Sequence, residues 1–261
     1  MKVKEIMTKE VICVSKNEDL RHVMDLMEKN NITKIPVVED GKVIGVVTDN
    51  KMADKFGSVK SKGVPVERMH ASTIMERNFI AINPETDLKE ILTTVGKPGL
   101  TMLLVIENDK LVGVVTKADL LPLVKGCKKV KEVMTQEVFT VRPYERVIHA
   151  RRIMLDNNIA RIPVVDEGKV IGMLSDKEIA FAFAEVKKSF PLGHQHHHVR
   201  ELLVEDVMKI PAITIKEDES IEDATKKMME YEIGCLPVVD DEGKLKGIIT
   251  RTDLVKLLQD S

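Results

Sequence analysis

Four times along this chain, a segment ending in a Val/Ile-Met pair leads into an amphipathic stretch, a run of the I-P-V-V-[DE] type, a turn, and G-h-h-[ST], where h is apolar. The copies read TKIPVVEDGKVIGVVT at 33–48, TMLLVIENDKLVGVVT at 101–116, ARIPVVDEGKVIGMLS at 160–175 and GCLPVVDDEGKLKGIIT at 234–250. Met7 to Gly45, Met75 to Gly113 and Met134 to Gly172 each span 38 positions, and Met208 to Gly247 spans 39, the extra residue falling in a turn beside Asp241. A chain with such self-similarity is one small unit used four times, so its function lies in how the copies differ.

Within each copy the hydrophobic period switches. Leu20/Val23/Met27, Leu88/Ile91/Val95, Val147/Ala150/Met154 and Ile221/Ala224/Met228 recur at i, i+3, i+7, one face of a helix. Asp19, Asp87 and Ser220 stand one position before these helices as N-caps, with capping-box spacing from Asp87 to Glu90; Arg146 holds that place in the third copy. Two β-branched runs follow, such as 35–38 and 43–47, separated by turn residues such as Asp40-Gly41, and read as a hairpin. A strand before the first helix (11–14, 212–215) and a second helix after the [ST] position (118–124, 252–258) complete an α/β unit of order β-α-β-β-α. A unit this small buries too little surface alone, so copies should pair. The connection between copies two and three is short (125–129). The expected modules are therefore 1–126, with repeats 3–57 and 66–125, and 127–261, with repeats 130–185 and 203–259.

Charge excludes some functions. Forty basic residues nearly cancel 42 acidic ones, leaving no global field to recruit nucleic acid or an anionic membrane. Three dispersed cysteines argue against a disulfide framework or a CxxC metal knuckle. The start MKVKEIMTKE lacks an apolar signal region, and no run has the length of a membrane span, so a cytoplasmic protein is expected. No nucleophile with an oriented base, P-loop or closed metal set is present, so the chain reads as no enzyme.

The motifs V-x-x-[VI]-M, [KR]-I-P-V-V-[DE] and G-h-h-[ST]-x-x-D resemble CBS domains, named from cystathionine β-synthase, whose tandem pairs are called Bateman modules. In layout the chain resembles stand-alone archaeal and bacterial CBS proteins and the gamma subunit of AMP-activated protein kinase. The resemblance implies two pseudo-twofold Bateman modules in a disc-like assembly. It also implies two clefts per pair for adenosine-containing ligands (AMP, ADP or ATP, alternatively S-adenosylmethionine or methylthioadenosine), no required cofactor, and a regulatory role toward a partner protein whose identity it leaves open. A homodimer is the expected assembly.

It further implies an Asp three residues after [ST] that grips both ribose hydroxyls, which suits a carboxylate with two acceptor oxygens. Copies two and four carry it as Thr116-x-x-Asp119 and Thr250-x-x-Asp253; copies one and three have Lys51 and Glu178 there. The residue two before the Pro, basic in phosphate-binding relatives, faces the cleft whose Asp belongs to the other repeat. It is Lys34 and Arg161 in copies one and three, followed by Pro36 and Pro163, but Met102 and Cys235 in the others. Asp119 with Lys34, and Asp253 with Arg161, thus give one equipped cleft per module. The expected adenine slots are walled by Ile80 and Val115, and by Ile213 and Ile249. Outside the repeats, His194, His196, His197 and His198 are near enough to ligate a divalent transition metal such as zinc, nickel or copper. A ligand-free scaffold that binds metal there is the remaining reading.

Overall fold

The structure is a computed structural model and describes residues 1–58, 64–97, 99, 102–191 and 194–259, without the side chain of His196. Most of the connection between copies one and two, and Leu192-Gly193 between copies three and four, lie outside the described residues. Among the described residues no helix is long and apolar enough to cross a membrane.

Copy one contributes α1 (Leu20–Lys29), β1 (Lys34–Glu39), β2 (Lys42–Thr48) and α2 (Asp49–Gly57). Copy two contributes β3 (Ala81–Ile82), α3 (Leu88–Val95), β4 (Met102–Glu107), β5 (Lys110–Thr116) and the short α4 (Lys117–Leu120). Copy three adds α5 (Val147–Asp156), β6 (Arg161–Asp166), β7 (Lys169–Ser175) and α6 (Asp176–Ser189), with α7 (Gln195–Glu201) following. Copy four adds β8 (Ile215–Lys216), α8 (Ile221–Glu230), β9 (Cys235–Val239), β10 (Leu245–Thr250) and α9 (Arg251–Lys256). Copies two and four thus have the expected β-α-β-β-α order, and copies one and three have the same mixed α/β order without its first strand.

The local chemistry explains most boundaries. Asp19 accepts a hydrogen bond from the His22 amide at 2.9 Å, and Ser220 exchanges bonds with Asp223, so α1 and α8 are capped by their own sequence. The capping box expected from Asp87 to Glu90 does not form: the Asp87 carboxylate takes Lys2 Nζ at 2.8 Å instead. The hairpin turns Asp40-Gly41 and Glu167-Gly168 place both residues at positive φ, the conformation that matches strand twist. The strand expected over 11–14 is reduced to a single parallel bridge, Val14 to Val37, and copy three repeats this at Val141 to Val164. In copies two and four the second helix is shorter than expected and ends in a 3-10 turn, with Pro122 inside the first of these.

The copies exchange their leading segments. Residues 3–8 lie on copy two: Val3 donates to the Thr86 carbonyl, and Thr8 exchanges backbone bonds with Val114 at 2.9 and 3.0 Å. Residues 69–76 return the contact, with Ala71 donating to Glu18 and Glu76 exchanging bonds with Val46. Copies three and four repeat the arrangement through Thr135 with Ile248 and Lys209 with Met173. The Met–Gly register seen along the chain is therefore a contact between copies. A Cβ on Gly113 would stand 2.6 Å from Met7 Sδ, and one on Gly247 would stand 2.7 Å from Met134 Sδ and 2.8 Å from the Thr135 carbonyl. Gly247→Val must displace backbone as well as a flexible methionine, so we expect a loss of about 1–3 kcal/mol, measured by chemical denaturation.

Sheets meet within a pair, and helices meet between pairs. Val46, Leu104 and Val114 form a small core between the hairpins of copies one and two. The largest core joins copy one to copy three, where Phe183 of α6 lies against Gly57 at the end of α2. Val255 of copy four packs into the core of copy two, and Leu121 and Val124 of copy two pack into that of copy four. A buried polar network crosses the boundary between copies one and three. Arg151, only 6% exposed, reaches Asp176, Asp54 Oδ1 at 2.7 Å and the Asn50 carbonyl at 3.2 Å, while Asn50 Nδ2 donates to Asp176 at 3.0 Å.

Candidate functional site

Four crossings arise from this exchange, each where the leader of one copy passes the start of the second helix of its partner. At the crossing of copies one and two, Thr116 ends β5 and caps α4. The Asp119 carboxylate accepts the Thr116 amide at 2.6 Å and its hydroxyl at 2.7 Å on one oxygen, and the Thr8 hydroxyl at 2.7 Å on the other. At the corresponding crossing of copies three and four, Asp253 accepts the Thr250 amide at 2.9 Å and its hydroxyl at 2.7 Å. Thr135 holds the backbone position against Ile248 that Thr8 holds against Val114. Both carboxylates are half-buried. Each is a helix-capping group; Asp119 also accepts the Thr8 hydroxyl of the opposing leader, a donor that can rotate and be replaced by another hydroxyl.

The other two crossings are closed by charge. Lys51 Nζ stands 3.2 Å from Glu76 Oε1, and Glu178, which also accepts the Ser175 hydroxyl, stands 3.9 Å from Lys209 Nζ. The residue after the repeated methionine thus decides what meets the helix: Thr8 and Thr135 at the Asp crossings, Glu76 and Lys209 at the others. Sequence reasoning stopped at the methionine, although aligning the four leaders one residue further displays this alternation.

Lys34 and Arg161 open β1 and β6. The Arg161 guanidinium lies over Gly234, where a Cβ would be 2.8 Å from Nη1, and the Gly234 carbonyl accepts the amide of Arg251, the first residue of the helix that carries Asp253. Arg161 therefore reaches from copy three toward the Asp253 helix. Burial pulls the Lys34 ammonium below its ordinary pKa, with Asp49 opposing and Arg161 adding to the shift. Lys34 in turn acts on Lys117, two residues before Asp119.

The first residues of the second helices, Asp49, Lys117, Asp176 and Arg251, alternate in charge and were not singled out from the sequence. Lys117 is buried, donates to Thr252 Oγ1 of copy four at 2.8 Å and to the Lys97 carbonyl at 2.9 Å, and is pushed down to about 8, first by burial and then by Lys34. Arg251 is pushed down to about 10 by burial and by Arg161, and its buried Nε has no hydrogen-bond partner among the described residues. Cations from all four copies therefore act on one another where the pairs meet, with Asp49 the carboxylate set against Lys34. An anion there would relieve both the repulsion and the unmet donors.

The remaining expected residues divide. Pro36 and Pro163 sit at strand starts, their carbonyls accepting Val14 and Val141. Ile80 is 40% exposed and Ile213 half-buried, so both can meet a ligand. Val115 and Ile249 cannot: both are wholly buried in the helix-side cores, because strand alternation turns them away from the exposed face. Of the histidines, His194 stands at the N-cap position of α7 without a side-chain capping bond, the His198 ring stacks on Phe190 with centroids 3.6 Å apart, and His197 meets His198 edge-on. Among the described residues no three His, Cys, Asp or Glu side chains converge to hold a metal; the His196 side chain is outside them.

Comparison with known proteins places the repeats. The CBS-domain profile matches residues 3–57, 71–126, 130–185 and 204–260. Protein MJ1225 of Methanocaldococcus jannaschii is 27% identical over 95% of both chains, and its crystal structure superposes with a TM-score of 0.85, covering 99% of this chain and 100% of that one at 24% identity. A conserved protein from Pyrococcus horikoshii shares the fold at a TM-score of 0.62 and 20% identity, over 99% of this chain and all of the other. The inosine-5'-monophosphate dehydrogenase of M. jannaschii is 34% identical over 134 residues, half of this chain but only 24% of that enzyme. Four matched repeats spanning most of its length make this chain a member of the CBS-domain family.

Proposed function

We propose that the chain is a regulatory sensor with two sites for adenine nucleotides, one at the Asp119 crossing and one at the Asp253 crossing. The observation that carries this reading is the meeting of Lys34, Lys117, Arg161 and Arg251 beside the two half-buried carboxylates: burial lowers Lys34, Lys117 and Arg251, and Arg161 repels both Lys34 and Arg251. Asp119 and Thr116, or Asp253 and Thr250, hold the ribose. Ile80 or Ile213 covers the base, and the phosphates point to the cations. Lys117 makes a hydrogen bond across the boundary between pairs, so a phosphate bound there acts on both modules. Occupancy thereby changes how firmly the modules hold together, and a partner protein reads that difference.

Isothermal titration of the full chain with AMP, ADP and ATP tests the proposal. Two equivalents per chain are expected. A folded, ligand-free sample that binds none of them overturns it. Charge reversal at Lys34 and Arg161 should abolish nucleotide binding and spare S-adenosylmethionine or methylthioadenosine, which carry no phosphate.

Protonation supplies an independent check. Lys117 titrates near 8 when the site is empty, and a phosphate beside it would raise that value toward the ordinary 10.5. Binding at pH 8–9 should therefore take up a fraction of a proton, and affinity should fall as pH rises through about 8. Titration in two buffers of different ionisation enthalpy measures the uptake, and Lys117→Met should reduce it.

A further inference from the structure

Every copy offers a crossing of the same backbone geometry, yet the four are filled in two ways. At Asp119 the groups facing the carboxylate are the hydroxyls of Thr8 and Thr116. An arriving ribose exchanges like for like there, since its own hydroxyls replace the threonine donors and leave no charge unpaired. At the copy-one crossing the position of the carboxylate is held by Lys51, which has no acceptor, and its ammonium lies 3.2 Å from Glu76 of the opposing leader. In copy three a carboxylate is present as Glu178, but Ser175 and Lys209 take its two oxygens, and its side chain is only 16% exposed. A ligand entering either place must part an ion pair: in copy one both partners are exposed, at 40% and 45%, so the cost is modest, whereas in copy three it leaves Glu178, only 16% exposed, without Lys209. The first residues of the two helices differ in the same sense, since Asp49 and Asp176 stand where the other copies have Lys117 and Arg251.

We infer that Glu76 and Lys209 are built-in occupants: each reaches across its pair to close the second crossing, so that a module takes ligand on one side only. The closure rests on the two-site reading above, but the ion pair exists without ligand and can be tested without it.

The ligand-free experiment compares melting temperatures of the full chain carrying Glu76→Met, Lys51→Met or both. If the pair closes the crossing, each single variant strands a charge, and the double variant should melt higher than the sum of the single shifts requires. Strictly additive shifts overturn the inference. The second experiment gives the copy-one crossing the residues of the Asp119 crossing through Asp49→Lys, Lys51→Asp, Glu76→Thr and Met102→Lys, with AMP as the probe in calorimetry. One further equivalent per chain than wild type is expected. An unchanged number, in a folded variant whose wild-type sites still titrate, overturns the closure. If neither protein binds AMP, the two-site reading has failed, and the melting comparison still decides whether Glu76 and Lys51 close their crossing.

Discussion

Replacing Arg151 by alanine should cost the fold about 3–5 kcal/mol, more than any other single change proposed for this chain. Arg151 comes from α5, but its guanidinium serves Asp54 and the Asn50 carbonyl of copy one together with Asp176 of its own copy. Asp176 is 1% exposed, so loss of the arginine leaves a buried carboxylate whose remaining partner is the Asn50 amide. Removing both charges should be much milder, because an uncompensated charge is the costly species. The double variant Arg151→Met/Asp176→Asn is therefore expected to recover most of the loss in a urea titration. The pH dependence has a definite sign. Burial lifts Asp176 to about 6 although Arg151 pulls the other way, and an unfolded aspartate titrates near 3.8. A carboxyl raised on folding destabilises the folded state at neutral pH and ceases to do so as pH falls through its folded value. The Arg151→Ala deficit should accordingly be smaller at pH 5 than at pH 7.5.

This network also marks where sequence reasoning ends. Hairpins and amphipathic helices announce themselves because their information is local: Asp40-Gly41 permits one kind of turn, and the stripe Leu20, Val23, Met27 buries one face. The Asp/basic alternation between copies was equally plain once the repeats were aligned. Nothing local says that residues 3–8 leave their own copy for the next, since a backbone edge pairs with any edge. The constant Met–Gly spacing was the trace of it, but the contact joins Met7 to Gly113, not to Gly45. Val115 and Ile249 were misplaced for a related reason. Alternation divides a strand into two faces without saying which one meets a ligand. Lys117 and Arg251 acquire meaning only from contact between pairs, which no spacing within a copy encodes. Asp87 shows the same limit on a smaller scale, because Lys2 arrives from the exchanged leader and takes the carboxylate from its helix.

Among changes at the proposed sites, alanine at Asp253 or Asp119 should have the largest effect on binding. The carboxylate would accept two ribose hydroxyls, and charge-assisted hydrogen bonds contribute roughly 1.5–3 kcal/mol each when formed to an ionised group. Losing one such contact weakens binding about ten- to hundredfold. Asp253→Ala should thus remove one of two equivalents from a titration at micromolar nucleotide, while the Asp119 site continues to bind. The same substitution takes the side-chain acceptor from the Thr250 amide and hydroxyl, a capping loss of about 1 kcal/mol that lowers the melting temperature without unfolding the chain. Asp253→Asn separates the two effects. Its amide oxygen can still accept the Thr250 amide, but it offers one neutral acceptor where the ribose needs two, so capping should largely survive and binding should not. A variant that melts like wild type and still binds two equivalents would place the ribose elsewhere. The Lys117 bond to Thr252 makes a further comparison informative. If phosphates at the two sites share the cations between the pairs, loss of the Asp253 site should also change the affinity of the Asp119 site, and by the reciprocity of linkage Asp119→Ala should change Asp253 by the same factor.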